Sequence, residues 1–262
     1  MTPFTSAAIT GASSGLGRAL AMALAGPGVR LHLAGRNEQR LAAVASKCEQ
    51  SGATVRTQVL DVREASAVAE WLGSSATVEL VIANAGISAG TAQGIPEGEP
   101  RIRSMFATNV DGVVSTVLAA MALLSAQPPN AGGIRGHIVV IASLAAFVPA
   151  PTGPAYCASK AAVDLWTVAS APAARQRGIL LTSVCPGYIR TPMTEANQFA
   201  MPGLMDADRA ARIILRAASE GRVRIAFPWW LAVAARAAGL LPPSVLGRLL
   251  GGRPGEAPQS GS

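Results

Sequence analysis

Short runs of apolar residues alternate along the chain with longer stretches in which apolar residues recur every three or four positions. The short runs are typical of buried strands; they are Ala7–Thr10, Val29–Ala34, Thr54–Leu60, Val78–Ala83, His137–Ala142, Ile179–Cys185 and, more weakly, Val223–Ala226. The stretches with helical spacing are Leu16–Ala25, Glu38–Gln50, Ala65–Trp71, Ile102–Ser125, Ala155–Arg175 and Asp208–Ser219. Asn37 stands one residue and Asp206 two residues before two of these stretches, and we expect them to cap the helices.

This alternation predicts an α/β protein. Strands separated by helices of this length need crossover connections, which give a parallel sheet covered by helices on both faces. Because crossovers are right-handed, the expected product is a single doubly wound Rossmann-type domain with a central parallel sheet of about seven strands. We assign residues 1–225 to this domain, 226–250 to an apolar helical extension and 251–262, rich in Gly, Pro and Ser, to a disordered tail.

Composition and charge narrow the class of protein further. Half of the 262 residues are apolar and only 14% are charged, which excludes a disordered chain. The net charge is +7, but the basic residues are scattered singly and nearly all are Arg; the two lysines are Lys47 and Lys160. Without a basic cluster, we expect no nucleic-acid partner, and the charge reflects solubility or attraction for an anionic cofactor or surface.

Cysteine and histidine residues give no sign of a metal site. Cys48, Cys157 and Cys185 form no CxxC pair, and their odd number argues against a disulfide framework. His32 and His137 lie in predicted strands, where a structural role is expected. The first residues lack a basic stretch followed by an apolar one, so we expect no signal peptide and a cytoplasmic location with reduced thiols.

A glycine-rich turn follows the first predicted strand. The segment reads Thr10-Gly-Ala-Ser-Ser-Gly-Leu-Gly17 and leads directly into a helix. Glycine allows a sharp turn and a close approach of a phosphate to the backbone, and the helix directs its N-terminal amides at that phosphate. A glycine trio at the first strand–helix junction of an alternating chain predicts dinucleotide binding.

The end of the second predicted strand bears on the choice of cofactor. It reads Leu33-Ala-Gly-Arg36 and has no carboxylate to bind a ribose 2′-hydroxyl. The guanidinium of Arg36 can bind a 2′-phosphate, which favours NADP(H) over NAD(H). Two alternatives stay open: Arg36 is a solvated loop residue, or the 2′-phosphate is bound by Ser13 or Ser14.

Four polar residues form a candidate catalytic set. Tyr156 and Lys160 are spaced so that they share one face of a predicted helix, Ser143 closes the preceding strand, and Asn109 lies within the long predicted helix. A nearby ammonium stabilises a phenolate and lowers the pKa of the phenol, which suits proton transfer to a carbonyl oxygen. Taken singly, each residue also has a structural reading, as an amphipathic core residue, a strand terminator or a buried amide.

These motifs together resemble the short-chain dehydrogenase/reductase family over roughly Ser6 to Ile225. The matching positions are Thr10–Gly17, Asp61-Val62, Asn84-Ala-Gly86, Asn109, Ser143, Tyr156 with Lys160, Pro186-Gly187 and Thr191. The resemblance implies an NAD(P)-dependent oxidoreductase acting on a carbonyl/alcohol pair.

The resemblance also implies a role for each matching residue. The cofactor would be bound by Gly11, Ser13, Ser14, Gly15, Leu16, Gly17, Arg36, Asp61, Val62, Asn84, Ala85, Gly86, Tyr156, Lys160, Pro186, Gly187, Ile189 and Thr191. Within that set, the glycine loop holds the pyrophosphate, Asp61 contacts adenine, and the segment from Pro186 to Thr191 positions nicotinamide. Tyr156 would be the general acid/base, Lys160 would hold the nicotinamide ribose, and Ser143 would bind the substrate oxygen. Asn109 would support a water that links Lys160 to solvent.

The expected substrate end of the site is apolar. In open parallel sheets the ligand lies beyond the carboxyl ends of the strands, where this chain has the segments Ile87–Pro96, Leu144–Pro154 and Tyr188–Met205. Their large side chains are Leu144, Phe147, Val148, Tyr188, Met193, Phe199 and Met201. We therefore expect a hydrophobic ketone or secondary alcohol as substrate, with Asn197–Met205 as a mobile lid.

The C-terminal part of the chain leaves three readings open. The segment Ala226–Leu250 contains Phe227-Pro-Trp-Trp-Leu231 and two apolar stretches that prolines separate, each too short to cross a bilayer. It covers the substrate pocket or a subunit interface, lies on a membrane surface through Trp229 and Trp230, or, least in keeping with its length, spans a membrane.

The chain is expected to form a homo-oligomer, and two alternatives to a soluble enzyme remain open. The resemblance implies a homo-dimer or homo-tetramer packed through the helix that starts near Tyr156, although Pro172 is expected to kink or end that helix. The rival to the enzyme is a non-catalytic dinucleotide-binding sensor or scaffold, which would need only the glycine loop. A membrane-surface enzyme acting on lipids is a third hypothesis.

Overall fold

The computed structural model describes residues 4–75, 77–88, 97–151, 153–195, 200–242 and 244–246. Its strands are β1 (Ser6–Thr10), β2 (Arg30–Gly35), β3 (Thr54–Val59), β4 (Leu80–Ala83), β5 (Gly136–Ile141), β6 (Ile179–Pro186), β7 (Ile189–Arg190), β8 (Met205–Asp206) and β9 (Arg224–Phe227). Seven of them form one parallel sheet in the order β3-β2-β1-β4-β5-β6-β9, and β7 pairs with β8 in a separate parallel ribbon. The predicted fold class and strand number are confirmed.

Helices cover both faces of the sheet. They are α1 (Gly15–Leu24), α2 (Glu38–Gln50), α3 (Ala65–Gly73), α4 (Glu99–Phe106), α5 (Gly112–Ala126), α6 (Pro154–Gln176), α7 (Pro192–Glu195), α8 (Ala207–Ser219) and α9 (Trp229–Gly239). Leu20 of α1 and Ile214 of α8 belong to one core layer, whereas Val68 of α3, Val117 of α5 and Val163 of α6 belong to the other. This two-layer core is what a doubly wound sheet needs, because each face buries its own set of strand residues.

The long helix predicted over Ile102–Ser125 is interrupted in the structure. A π-helical turn, Ala107–Asp111, separates α4 from α5. Such turns insert one extra residue into a helix and frequently mark functional sites. Here the side chain of Asn109, in the middle of the turn, bonds to the backbone of Ile87. A contact to a residue so distant in sequence leaves no trace in the local apolar spacing.

Two other sequence expectations need correction. The helix α6 runs on to Gln176, so Pro172 does not end it, and the alternative of a kink stays a prediction. Asp206 occupies the position before α8, but its side chain makes no capping hydrogen bond and instead accepts one from Arg190 Nε at 3.1 Å. The other expected cap is confirmed, because Asn37 Oδ1 accepts a hydrogen bond from the backbone of Arg40 at 2.9 Å.

The C-terminal segment adds a strand and a helix. The boundary predicted at residue 225 lies within β9, and α9 follows it; the division of the chain into three parts stays a prediction. The predicted tail and most of the second predicted C-terminal helix, residues 247–262, lie outside the described residues. In the described part of the chain, Glu99–Ala126 is the one run long and apolar enough to cross a membrane, yet Val113, Val117 and Leu124 place it in the core.

We expect Pro172→Ala to stabilise the protein. Pro172 is exposed and lacks the N–H that would bond the carbonyl of Val168, so alanine restores a helical hydrogen bond without disturbing the core. The gain, offset in part by the greater freedom of the unfolded chain, should raise the free energy of unfolding by about 2 kcal/mol in urea titrations. The neighbouring Ala173→Gly should lower it by about 1 kcal/mol. An unchanged or lowered stability of Pro172→Ala would show that the missing hydrogen bond at Pro172 does not destabilise α6.

Candidate active site

A cleft of about 260 Å³ lies at the carboxyl ends of the strands, at the point between β1 and β4 where the strand order reverses. This is where open α/β sheets bind their ligands. The predicted site residues that line it are Gly11, Ser13, Ser14, Gly15, Leu16, Gly17, Arg36, Asp61, Val62, Asn84, Ala85, Gly86, Ser143, Tyr156, Lys160, Pro186, Gly187, Ile189 and Thr191. Only Asn109 of the predicted set is not among the lining residues.

The glycine loop is packed so closely that side chains cannot be added. Gly11 has a φ of 66°, and a Cβ there would lie 2.8 Å from the Cα of Ala85. A Cβ on Gly17 would collide with the carbonyl oxygen of Gly11 and lie 2.5 Å from Asn84 Nδ2. The glycines therefore let the loop pack directly against the end of β4, and its backbone lines the cleft at the start of α1 as a cradle.

Hydrogen bonds tie the glycine loop to the end of β4. Asn84 Nδ2 donates to the carbonyl oxygens of Thr10 at 3.0 Å and Gly11 at 3.2 Å. Thr10 Oγ1 in turn accepts from the backbone N–H groups of Asn84 and Ala85, each at 3.1 Å. These bonds cross the point where the strand order reverses, so they fix the floor of the cleft before any ligand arrives.

The far end of the cleft is rich in guanidinium groups. Arg63 binds Asp61 Oδ2 through Nη2 at 2.7 Å, and its hydrogen bond is the main reason that the pKa of Asp61 is lowered. Arg36 Nη1 lies 3.9 Å from the same carboxylate, and its side chain is 60% exposed. Arg40, in the first turn of α2, also lines the cleft. The carboxylate of Asp61 is thus neutralised and Arg36 is free to turn toward a ligand.

Asn109 connects three parts of the site from behind. Its Oδ1 accepts from the backbone N–H of Ile87 at 2.8 Å, and its Nδ2 donates to the carbonyl of Ile87 at 2.9 Å and to Ser159 Oγ at 3.1 Å. Ser159 Oγ donates to the carbonyl of Tyr156 at 2.8 Å. A Cβ on Gly86 would lie 3.2 Å from Asn109 Oδ1 and 3.5 Å from Lys160 Nζ. The amide and the ammonium therefore lie beside the same glycine.

Tyr156, Lys160 and Ser143 lie together at the inner end of the cleft. Lys160 Nζ lies 5.8 Å from the centre of the Tyr156 ring and donates to the carbonyl of Ile141, the last residue of β5, at 2.8 Å. Ser143 begins the 3₁₀ turn Leu144–Phe147, and its Oγ accepts from the backbone N–H of Ala145 at 3.1 Å. The structure thus brings the three predicted residues to one place.

Burial dominates the electrostatics of this group. It lowers the pKa of Lys160 from 10.5 to about 8. Burial also raises the pKa of Tyr156, although its side chain keeps partial access to the cleft, and a hydrogen bond with Ser143 acts in the opposite direction. Lys160 is not among the groups that shift the pKa of Tyr156 in this structure, and the expected lowering of the phenol pKa by Lys160 stays a prediction.

The substrate end of the cleft contains only part of the predicted apolar lining. Met193 lines the cleft, and Leu144 packs behind it, 3.4 Å from where a Cβ on Gly187 would lie. Leu231 of α9 approaches the same position to 3.1 Å, so α9 packs against the cleft wall at Gly187. Phe199 and part of the predicted lid lie outside the described residues, and Met205 pairs with Ile189 in the β7–β8 ribbon.

Several lining residues were missed by the sequence analysis: Ala34, Gly35, Asn37, Arg40, Leu60, Ile87, Thr108, Ile141, Ala142, Pro192 and Thr194. Most of them flank a predicted residue and contribute backbone. Arg40 could have been predicted from the sequence. It follows Arg36 by four residues and lies in the first turn of a helix whose cap, Asn37, is recognisable. Within the described residues, no group of His, Cys, Asp or Glu side chains could hold a metal ion, and Cys48, Cys157 and Cys185 are free and buried.

Comparisons with known proteins agree with this geometry. The sequence profile of the short chain dehydrogenase family matches residues 5–201. An uncharacterized oxidoreductase of Myxococcus xanthus is 36% identical over 244 residues, which cover 91% of this chain and 93% of that protein. Among solved structures, a short-chain dehydrogenase of Sphingobium yanoikuyae in complex with NADPH is 25% identical, with a TM-score of 0.76 over 90% of this chain and 94% of that one.

A second solved structure shares the fold. It is a short-chain dehydrogenase of Mycobacterium paratuberculosis bound to NAD, 23% identical, with a TM-score of 0.73 over 84% of this chain and 95% of that chain. The family profile covers most of this chain, and the oxidoreductase of Myxococcus xanthus is similar over nearly the whole of it. The chain therefore belongs to the short-chain dehydrogenase/reductase family of oxidoreductases.

Proposed function

We propose that this protein is an NADP(H)-dependent oxidoreductase that interconverts a hydrophobic ketone and its secondary alcohol. The observation that carries the proposal is the convergence of Ser143, Tyr156 and Lys160 at one end of a cleft whose other end is the glycine cradle. A family enzyme acting on a small molecule with a nicotinamide dinucleotide needs both ends. A protein that only binds the dinucleotide needs the cradle alone.

The cleft fits a phosphorylated dinucleotide. Gly11, Gly15 and Gly17 line the cleft at the start of α1, so the backbone of the loop is exposed to a pyrophosphate bound there. At the adenosine end, Arg36 and Arg40 offer two guanidinium groups, and the carboxylate of Asp61 is held by Arg63. Two cations near a 2′-phosphate favour NADP(H) over NAD(H). When bound, the dinucleotide supplies or accepts the hydride.

The proton is transferred by this chain's own side chains. Tyr156 donates its phenolic proton to the carbonyl oxygen as the hydride arrives at carbon, and Ser143 donates a hydrogen bond to the same oxygen. The raised pKa of Tyr156 keeps the phenol protonated at neutral pH, which suits the reductive direction. Lys160, with a pKa of about 8, carries its charge at pH 7 and stabilises the phenolate that the transfer leaves.

Asn109 acts as a positioning residue. It bonds both backbone groups of Ile87 at the edge of the cleft and, through Ser159, the first turns of α6. This holds the tyrosine-bearing helix against the loop that follows β4. The family resemblance adds a water between Asn109 and Lys160 as a proton path to solvent, which is consistent with their common neighbour Gly86.

The substrate class follows from the apolar character of the substrate end of the cleft. Met193 lines it, and Leu144 and Leu231 pack around Gly187 in its wall. The charged lining residues lie at the adenosine end, except Lys160, which belongs to the group with Ser143 and Tyr156. An apolar ketone gains more from this lining than a charged metabolite does. A homo-dimer or homo-tetramer packed through α6 stays a prediction; the outward-facing Leu165 in the middle of α6 supports it.

We expect Tyr156→Phe to abolish turnover while leaving cofactor binding intact. Loss of the proton donor should lower kcat about 10²–10⁴-fold for NADPH oxidation with a long apolar ketone. The matched control is Tyr188→Phe, which removes the other tyrosine hydroxyl and should keep kcat within about tenfold of wild type. If wild type and Tyr156→Phe both bind NADPH but neither turns over a substrate, the result favours the non-catalytic sensor. If a sugar phosphate is turned over as fast as the long apolar ketone, the proposed apolar substrate is wrong.

Arg36→Asp should shift the cofactor preference toward NADH. It removes a charge-assisted bond to the 2′-phosphate and adds a repelling carboxylate, so the kcat/KM ratio of NADPH to NADH should fall about 10–100-fold. Arg40→Gln should lower the ratio less. Arg56→Gln, an exposed arginine on β3 outside the cleft lining, is the control and should leave the ratio unchanged. If the NADPH-to-NADH ratio of Arg36→Asp equals that of wild type, the 2′-phosphate is bound by another residue, such as Ser13 or Ser14.

The buried ammonium of Lys160 should make stability depend on pH. Its pKa falls from 10.5 in the unfolded chain to about 8 in the folded protein, so the unfolded state binds more protons between these values and stability rises with pH there. At pH 7 the burial cost is fully present. Lys160→Met should therefore be more stable than wild type at pH 7 by about 2 kcal/mol, and this advantage should disappear as the pH approaches 10.5.

The measurement is urea unfolding of the apoprotein at a series of pH values. The control is Lys47→Met, which removes the other lysine, an exposed one, and should unfold with the pH dependence of wild type. A difference between wild type and Lys160→Met that does not vary with pH would show that the ammonium is not desolvated in the folded protein.

A further inference from the structure

Exposed apolar side chains are concentrated on helix α9 and on the residues that directly follow it. Of the twelve large apolar side chains that are exposed in the described part of the chain, six lie between residues 229 and 245. They are Trp229, Trp230, Val233, Leu240, Leu241 and Val245, and we call them the α9 face. Trp229 is 75% exposed and Leu240 is 87% exposed. A patch of this kind on a folded protein marks an interaction surface.

The helix that carries this face is firmly seated on its other side. Ala232 is buried in the core layer formed with α5 and α6. Arg236 lies over the ring of Phe147 at 4.4 Å, and a Cβ on Gly239 would collide with the carbonyl oxygen of Phe147. The α9 face is therefore a fixed surface that points away from the protein.

We propose that the α9 face docks on the surface of an anionic lipid bilayer. Tryptophan is favoured at the membrane interface, because its ring is apolar and its N–H remains in the polar layer. The eleven residues of α9 are too few to cross a bilayer, so the helix lies in the interface plane with Trp229 and Val233 inserted.

Charge favours the bilayer over a second copy of this chain. From Gly221 to Gly255 the sequence has five arginines and no acidic residue. Arg222 pairs with Glu220 and Arg224 with Asp164, whereas Arg236 has no carboxylate partner within the described residues. Two copies of this segment facing each other would bring their positive charges together with no carboxylate of the segment to compensate them. Anionic headgroups provide the missing negative charge.

The docking surface adjoins the substrate end of the cleft. A Cβ on Gly187, which lines the cleft, would lie 3.2 Å from Pro228 and 3.1 Å from Leu231. A Cβ on Gly203 would lie 2.9 Å from the ring of Trp230. Docking through Trp229 thus places the cleft near the layer in which apolar ketones accumulate. This delivery of substrate rests on the proposed function, but the docking itself does not.

The test is vesicle flotation of the full chain. Vesicles of phosphatidylcholine alone are compared with vesicles that also contain phosphatidylglycerol, and brominated lipids report contact through quenching of tryptophan fluorescence. We expect binding to the anionic vesicles, weakened by salt, with quenching that disappears in Trp229→Ser/Trp230→Ser. The double variant Trp229→Ser/Leu240→Ser should lower the partition coefficient about tenfold or more.

Two controls separate the outcomes. Leu118→Ser removes an exposed apolar side chain on α5, 54% exposed, and should float as wild type does. Tyr156→Phe should also float unchanged, so docking is tested whether or not turnover is found. Wild type that does not float with anionic vesicles would overturn the proposal. Flotation of Trp229→Ser/Leu240→Ser equal to that of wild type would overturn it too. The proposal also fails if light scattering shows a wild-type dimer that Trp229→Ser/Leu240→Ser dissociates, because a second copy of the chain would then occupy the α9 face.

Discussion

The burial of one ammonium group organises the active site. Lys160 leaves water at the edge of the sheet and donates to the last carbonyl of β5, Ile141, at 2.8 Å. That bond fixes the rotation of α6 against the sheet, so Tyr156, one turn earlier, faces the cleft beside Ser143. A buried charge is destabilising, as the lowered pKa of Lys160 reflects, and the surrounding structure must hold it in place. The tight packing of Gly86 against Asn109 and Lys160 belongs to the same arrangement, because any larger residue would press on both polar groups.

Most of the fold could be predicted from the spacing of apolar residues. Parallel strands buried on both faces have continuous apolar runs, and the crossover helices have apolar residues every three or four positions. The exceptions depend on contacts that are distant in sequence. The π-helical turn around Asn109 is held by the backbone of Ile87, and a two-residue strand such as Met205–Asp206 is too short to have a period. Helix α6 continues past Pro172 because its packing on the sheet outweighs the loss of one hydrogen bond, a balance that local propensity does not contain.

The site was predictable to the extent that its chemistry is tied to short motifs. Backbone-contacting positions such as Gly11 and side chains such as Tyr156 are confined to particular residue types, whereas Arg40 is one arginine among many until the structure places it beside Arg36. The direction of the Tyr156 pKa was also beyond the sequence. Spacing shows that Lys160 is a neighbour, but only the three-dimensional structure shows how strongly the phenol is desolvated. In this arrangement desolvation favours a protonated phenol on Tyr156, beside the ammonium of Lys160.

The C-terminal helix is coupled to the catalytic residues through the turn that carries Ser143. Phe147 ends that turn, and its ring lies 4.4 Å from the guanidinium of Arg236 on α9 and 5.9 Å from that of Arg224 on β9. Arg224 Nη2 binds Asp164 at 2.8 Å, and Asp164 lies on α6 one turn beyond Lys160. The segment beyond residue 201, which the family profile does not cover, is therefore connected to both Ser143 and Lys160. Because these contacts are direct, a force that shifts α9 also acts on the 3₁₀ turn that follows Ser143. The C-terminal segment is thus part of the framework of the site, and its outer face is the part that is free to respond to the surroundings.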